Sequence, residues 1–422
     1  MEFYKEEDFK QAPFAKIPND WGLLKLEDIA EDIHYGITAK AVEEQTQLRM
    51  LRTTDIKNYQ ADWNKLPFCV ITEKRKDIRR YLLKKGDLVI ARAGTTGVSV
   101  LVDRDLGNVI FGSYLIKVRL NRRVHPSFIH YFCQSRFYWR HIISSQAGST
   151  LKNINLPTLK SLKIPIPKLE EQRGIVEVLS VVDLAIQKTD EIIAKTERLK
   201  RGLMQTLLTK GIGHKKFKET PIGKIPKTWQ VMRLKEVATV QRGKFAHRPR
   251  NDPRFYGGKI PFIQTGDIAR ASGIIKEYSQ TLNEEGLKIS KLFKKGTIVI
   301  SIAGNIGDVG ILGFDACFPD SVVGISVGNK INKLFLMYLL QYFKHELSGK
   351  APRSTQKNIN LQILESLKIP VPPLSEQEKI AKILFTIDKK LQIENENKKK
   401  LENIKRGLMD LLLTGKIRVR VN

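Results

Sequence analysis

The chain has 422 residues, 41% of them hydrophobic, and 73 lysines and arginines stand against 44 acidic residues for a formal net charge of +29. That length predicts two or three ordinary domains, and apolar runs such as Leu-Val-Ile-Ala at 88–91 end too soon in a charge or a glycine to span a membrane. The acidic start Met1-Glu2-Phe3-Tyr4-Lys5-Glu6-Glu7-Asp8 offers no secretory leader, so a cytoplasmic location is expected.

Along the chain, the first landmark is Phe9-Lys10 with Lys16-Ile17-Pro18 and Trp21. Lys84-Lys85-Gly86 follows, with Val89-Ile90 and the turn Ala93-Gly94-x-x-Gly97. The β-branched runs at 86–91 and 98–102, bounded by glycines, predict strands, and Phe128-Ile129-His130-Tyr131-Phe132 predicts a helical core segment. Next come Ser149-Thr150-x-Lys152-Asn153-Ile154-Asn155-Leu156 and Ser161-Leu162-Lys163-Ile164-Pro165. Ile-Pro-Ile-Pro at 164–167 is expected to stop the globule, because proline fixes φ and lacks a backbone donor. Glu171-Gln172 then opens a proline-free stretch with Ile175, Leu179, Val182, Ile186, Ile193, Leu199, Leu203 and Leu207 at steps near three and four. That spacing predicts a long helix with a coiled-coil-like seam. Lys200-Arg201-Gly202-Leu203-Met204 and Leu207-Leu208-Thr209 close it.

The second half restates the first. Phe217-Lys218, Lys224-Ile225-Pro226 and Trp229 repeat the opening, and Lys294-Lys295-Gly296, Val299-Ile300 and Ala303-Gly304-x-x-Gly307 repeat the middle. A strand at 296–302 and a helical segment Leu334-Phe335-Leu336-Met337-Tyr338 are predicted in turn. Ser354-Thr355-x-Lys357-Asn358-Ile359-Asn360-Leu361, Ser366-Leu367-Lys368-Ile369-Pro370 and Glu376-Gln377 follow, and Lys405-Arg406-Gly407-Leu408-Met409 with Leu412-Leu413-Thr414 ends the copy. The second predicted seam runs through Ile380, Ile383, Ile387, Leu391, Leu401, Ile404, Leu408 and Leu411. An offset of 208 residues at the start and 205 near the end is far longer than a solenoid unit, so a domain pair is duplicated.

The expected fold is therefore mixed α/β, a pseudo-twofold repeat of two globules joined by two long antiparallel coiled-coil-like helices. The parts are a first globule at 1–165, a first helix at 166–212, a second globule at 213–370, and a second helix with a tail at 371–422. At about 1.5 Å per residue each helix is roughly 60 Å long, too long to bury its stripe on one small globule. Polar Thr189 and Asn397 near the seam either weaken it locally or set its register. Residues 31–80 and 239–290 share almost nothing, so a common frame carries two different surfaces.

The charge belongs to the body: residues 1–168 carry +10, 169–216 carry +2, 217–373 carry +12 and 374–422 carry +5. A basic body points to a polyanion partner through counterion release; the rival is a lysine-rich solvated surface. Catalytic motifs do not emerge. The sequence has no GxxxxGK[ST] loop, and Gly211-Ile212-Gly213-His214 lacks dinucleotide spacing. It has no Asn-Pro-Pro-aromatic or Asp-Pro-Pro-aromatic tetrapeptide, and Pro319-Asp320 lacks a following acid-x-Lys pair for metal-dependent hydrolysis. The histidines, His141 and His345 among them, are scattered, and no catalytic or metal-ligating residue is assigned. Cys69, Cys133 and Cys317 are isolated and expected as buried small hydrophobes, outside any disulfide framework or zinc site.

The doubled Lys-Asn-Ile-Asn-Leu, Leu-Lys-Ile-Pro-x-Pro, Glu-Gln and Lys-Arg-Gly-Leu-Met series resembles, over the whole chain, the DNA specificity subunit of type I restriction-modification enzymes. The resemblance implies a non-catalytic subunit with two target-recognition domains. Each would read one half of an asymmetric bipartite site in double-stranded DNA, and the two helices would form the spacer. It also implies methylation subunits, expected as a pair, docked on the repeated region, with restriction subunits completing the assembly. S-adenosylmethionine, ATP and magnesium would sit on those partners, with no cofactor in this chain and no membrane contact. Two readers on one face of a duplex work best about one helical turn, roughly 34 Å, apart, a scale that such helices can span.

Candidate DNA contacts follow from residue type, since Arg, Asn and Gln make bidentate base contacts while Lys and Ser mainly hold phosphates. In the first globule they are Arg49, Arg52, Thr53, Thr54, Lys57, Asn58 and Tyr59, the run Lys74, Arg75, Lys76, Arg79 and Arg80, and Ser149, Thr150, Lys152 and Asn153. Arg92, beside the Ala-Gly-Thr-Thr-Gly turn, is a further phosphate candidate. In the second they are Arg242, Lys244, His247, Arg248, Arg250 and Arg254, then Gln264 and Thr265, and Arg353, Ser354, Thr355, Gln356 and Lys357. Asn-Ile-Asn recurs in both copies and is expected to frame the domain or a partner interface.

Overall fold

The computed structural model describes residues 1–13, 15–72, 77–145, 153–271, 273–349 and 358–420. The chain divides into two compact units, Met1–Lys188 with Lys398–Asn422, and Thr189–Asn397. Each unit thus takes part of both long helices, Leu169–Leu207 and Leu374–Leu412. Among the described residues no helix is long and apolar enough to cross a membrane.

Both units are built on one frame. In the first, strands Ala30–Tyr35, Leu115–Leu120, Leu88–Ala91 and Ser99–Leu101 lie side by side in that order, all antiparallel. In the second, Ala238–Arg242, Val322–Val327, Ile298–Ser301 and Val309–Leu312 repeat the order. The central strands are buried on both faces, which accounts for their unbroken apolar runs. Helix Pro126–Phe132 in one unit and Lys333–Tyr342 in the other cover the frame through Phe128, Ile129 and Phe132, or Phe335, Leu336 and Leu339. The predicted strands and helical segments lie where these elements form.

The units differ in the sheet added to the frame. The first unit pairs Val109–Phe111, Arg49–Leu51, Phe68–Ile71 and Ala39–Val42, with Val109–Phe111 parallel to Arg49–Leu51. The second pairs Gln280–Leu282, Tyr256–Phe262, Ala316–Cys317 and Leu292–Phe293. Each has a separate small core, around Leu51 and Phe111 in the first and around Phe245 and Phe262 in the second. Cys69, Cys133 and Cys317 are free and buried.

The repeated motifs are joints of this frame. Asn155 caps helix Leu156–Lys160 by accepting from the Thr158 N–H at 2.8 Å, and Asn360 caps Leu361–Glu365 through Ile363 at 2.9 Å. The isoleucines between the asparagines are buried, and their N–H groups donate to the carbonyls of Arg92 (2.9 Å) and Ile302 (3.0 Å). Leu-Lys-Ile-Pro is a strand and not only a stop. Lys163–Ile166 pairs with Gly22–Lys25, and Lys368–Val371 with Gln230–Arg233, in two-stranded ladders where a proline without a donor is tolerated.

Glu-Gln fastens each helix to its globule. Gln172 accepts from the His125 N–H at 2.7 Å and donates to the Pro167 carbonyl at 2.9 Å; Gln377 does the same with Asn332 (2.7 Å) and Pro372 (2.8 Å). The indole of Trp21 donates to Glu171 at 3.2 Å and that of Trp229 to Glu376 at 3.0 Å. In the first unit Arg418 also bonds Glu171, at 2.6 and 2.8 Å, together with Asp20 and Glu6, and its strand Ile417–Arg420 pairs with Glu2–Lys5. In the second unit the Ile212 N–H and His214 take the place of Arg418 on Glu376, each at 2.9 Å.

The seams correct the expected list. A strict four–three count in the first helix runs Ile175, Leu179, Val182, Ile186, Thr189, Ile193, Thr196, Lys200, Leu203 and Leu207, none of them exposed. In the second it runs Ile380, Leu384, Ile387, Leu391, Glu394, Lys398, Leu401, Lys405, Leu408 and Leu412, again with none exposed. Leu199 (52% exposed), Ile383 (37%) and Ile404 (51%) fall one step off this count and face outward. Polar Thr196, Lys200 and Lys405 sit where apolar residues were expected, and Asn397 is exposed.

Those lysines are paired. In the first unit Lys405 meets Asp183 at 2.7 Å, and Asp183 accepts from the Tyr131 hydroxyl at 2.8 Å. In the second Lys200 meets Asp388 at 2.5 Å, and Asp388 accepts from Tyr338 at 2.8 Å. Within each unit a residue near one helix's start therefore pairs with one near the other's end, so the helices run antiparallel. The tyrosine ties the pair to the globule, and burial pushes both phenols well above their ordinary pKa. Because one-sided removal strands a poorly solvated lysine, Asp388→Ala is expected to destabilise the second unit by about 3 kcal/mol. A double Asp388→Asn, Lys200→Met change is expected to cost less; urea unfolding of both variants checks the order.

Candidate nucleic-acid interface

In the first unit the predicted polar segment meets the glycine turn. Thr53 lies in the turn Thr53–Asp55, its Oγ1 3.6 Å from where a Cβ on Gly94 would sit. Arg52 is held by Asp55 through two bonds of 3.0 and 2.8 Å, leaving Thr54 exposed beside it. Ile56–Lys57 and Gln60–Ala61 form a hairpin whose two turn residues, Asn58 and Tyr59, have φ of 49° and 63°, a two-residue turn of the twisted type. Asn58 and Lys57 are exposed. Tyr59 instead turns inward, where its hydroxyl accepts from the Trp139 indole at 3.0 Å, and Trp139 packs against Gly97.

Arg92 follows strand Leu88–Ala91 at this same turn. Its guanidinium lies 4.4 Å over the ring of Tyr35, and its buried Nε has no partner among the described residues. Ile154 bonds the Arg92 carbonyl, which brings exposed Asn153 to the same place. Arg52, Thr53, the 94–97 turn, Arg92 and Asn153 thus form one polar neighbourhood. Arg49 is used elsewhere, donating to the Asn64 carbonyl at 2.6 Å and lying over Phe68. Arg80 pairs with Asp32 at 3.1 Å on a frame strand, and Arg79 is exposed next to it. Lys74, Arg75, Lys76, Ser149, Thr150 and Lys152 lie outside the described residues.

In the second unit the candidates at 242–254 form a braced loop. Arg242 ends strand Ala238–Arg242, and Gly243 and Lys244 are fixed by backbone bonds to Val322 (2.9 Å) and Phe318 (3.0 Å). A Cβ on Gly243 would come within 2.4 Å of two carbonyl oxygens, so only glycine fits there. Phe245 plugs the small aromatic core against Phe255, Tyr256 and Phe262. Arg248 and Arg250 both bond Asp320. Asp252 holds Arg254 at 2.7 Å, with His247 3.1 Å away, and Arg254 brings the Asp252 carboxyl down to about 2. Gln264 caps helix Thr265–Arg270, where Thr265 is the first residue, and its amide donates to Gln280 at 2.8 Å. Arg353, Ser354, Thr355, Gln356 and Lys357 lie outside the described residues.

Three residues near these surfaces were not among the expected contacts. Tyr114 is 64% exposed in the turn after Val109–Phe111, and its carbonyl accepts the Arg92 N–H at 2.9 Å. Trp139 anchors Tyr59, and Asp320 gathers two arginines. A lone aromatic or acid in a strand-connecting turn carries no local pattern that would single it out. Burial pushes His130 down to about 3, with Lys405 nearby.

The family model for the type I restriction modification DNA specificity domain matches residues 18–198 and 226–403. The chain is 33% identical over 428 residues to a putative type I restriction enzyme MjaX specificity subunit of Methanocaldococcus jannaschii, covering 100% of this chain and 99% of the relative. The MjaVIII specificity subunit of the same organism is 30% identical, with 100% and 98% covered. Among solved structures, a chain of a type I R-M system aligns with a TM-score of 0.61 at 20% identity over 95% of this chain and 100% of its own. An S subunit from M. genitalium aligns with a TM-score of 0.59 at 17% identity over 98% and 100%. Two matched copies of one domain, on a frame whose repeated motifs are its joints, place this chain in the type I restriction-modification specificity family, as a non-catalytic, DNA-recognising subunit.

Proposed function

We propose that each unit reads one half of an asymmetric bipartite site in the major groove of double-stranded DNA, and that the two long helices set the spacer. Methylation subunits, two of them, dock on the repeated frame, and restriction subunits join them. S-adenosylmethionine, ATP and magnesium belong to those partners. The observation that carries this reading is the contrast between a duplicated frame and unlike added sheets. Two copies of one scaffold with different reading segments suit two different half-sites.

On this reading the Arg52–Thr53–Arg92–Asn153 neighbourhood serves one half-site and the 242–254 loop the other. Exposed lysines and arginines around them supply the phosphate contacts within a net charge of +29. Binding of a cognate duplex by the chain with its methylation subunits is expected to fall steeply with salt. If six to ten phosphates are engaged, affinity drops by about 10³ to 10⁵ between 50 and 200 mM salt. A titration showing no binding even at the lowest salt would leave the chain a scaffold and end the proposal.

A further inference from the structure

We infer that Asp320 is a positioning residue for DNA recognition, fixing Arg248 and Arg250 as readers of a guanine in the half-site of the second unit; the inference rests on the function proposed above. Asp320 lies in the turn between strands Ala316–Cys317 and Val322–Val327. Backbone bonds on both sides make that turn rigid: Val322 to the Pro319 carbonyl at 3.0 Å, Lys244 to Phe318 at 3.0 Å, and Ile302 to Ser321 at 2.9 Å. The carboxylate is thus set by the frame, while the two arginines come from the added loop.

The loop presents them in a fixed way. Arg248 Nη1 donates to the carbonyls of Phe245 (2.7 Å) and His247 (2.8 Å), and its Nη2 donates to Asp320 at 3.1 Å. Arg250 donates to the other Asp320 oxygen, and its own carbonyl accepts from the Tyr256 hydroxyl. Both side chains remain about half exposed, at 52% and 43%. A guanidinium has five N–H donors, so three committed bonds leave Arg248 two more for a partner. Two donors suit the O6 and N7 acceptors of guanine, the commonest specific arginine contact.

An acid on a surface meant for a polyanion weakens phosphate binding. Its presence between two arginines is explained if it aims them, because a side chain ordered before binding loses less entropy on contact. The equivalent turn of the first unit, Gly112-Ser113-Tyr114, has no acid; there Arg92 is ordered by stacking on Tyr35. The effect of Asp320 should therefore stay within one half-site.

The test is selection of duplexes from a randomised pool by the full chain with methylation subunits, followed by sequencing. The wild type is expected to select a bipartite motif containing a G·C pair in the half assigned to the second unit. Asp320→Asn is expected to reduce discrimination at that pair at least tenfold. The other half should be unchanged, and affinity for unrelated duplex should be equal or higher. Arg248→Lys and Arg250→Lys, which keep the charge and leave Asp320 in place, should relax the same position. An unchanged motif in Asp320→Asn, or equal loss in both halves, overturns the role of Asp320 while leaving the two-reader function standing. A wild-type chain that selects no motif overturns that function itself.

Discussion

Replacing residues 21–147 with the corresponding segment of a relative is expected to change one half of the recognised sequence and leave the other half as it was. The segment holds the whole sheet added to the frame of the first unit and nothing from the second. It also contains ties to the first long helix, among them the Trp21 indole on Glu171, the His125 N–H on Gln172, and Tyr131 on Asp183. A donor that keeps an aromatic N–H at 21 and a tyrosine at 131 will dock; one lacking the tyrosine leaves the Asp183–Lys405 pair without its third member. The expected outcome is all-or-none for one half-site, read by sequencing methylated sites. A graft that alters both halves would show that the two units do not read independently.

Removing residues 189–195 from the first helix together with 394–400 from the second is expected to abolish recognition of the original site and to select one with the same half-sites and a shorter spacer. Seven residues are one heptad, so Thr196 takes the place of Thr189 in the four–three count and Leu401 follows Ile393 without a phase error. Both Asp–Lys pairs lie outside the deleted residues and are retained. The loss is about 10 Å of helix, and the spacer shortens by no more than about three base pairs at 3.4 Å each. Deleting the heptad from one helix alone puts the Asp–Lys pairs out of step with each other and is expected to yield unfolded protein. Retention of the original spacer by the doubly shortened chain would refute the helices as the measuring element.

The repeat was legible because frame joints demand particular residues: asparagine to cap, tryptophan to donate to a carboxylate, glutamine to fill both its acceptor and donor roles. The helices were legible by period but not by phase. Thr196, Lys200 and Lys405 occupy the seam because a globule residue, Tyr131 or Tyr338, completes each Asp–Lys pair, and no pattern within the helix reveals a partner some 50 residues away. Prolines at 165 and 370 read as stops because their strands have a single neighbour. The reading face was legible only as composition. Arg49 and Tyr59 looked as eligible as Lys57 or Asn58, and only the fold separates those tied into the globule from those left facing water.

Among the described residues Arg418 is the cation common to Glu6, Asp20 and Glu171, and it holds the Asp20 carboxyl below the usual range. Take it away and three acids from distant parts of the chain are left confronting one another around an indole. Loss of Arg418 would therefore loosen the helix base, most at a pH where all three carboxylates are charged, without touching any reading surface.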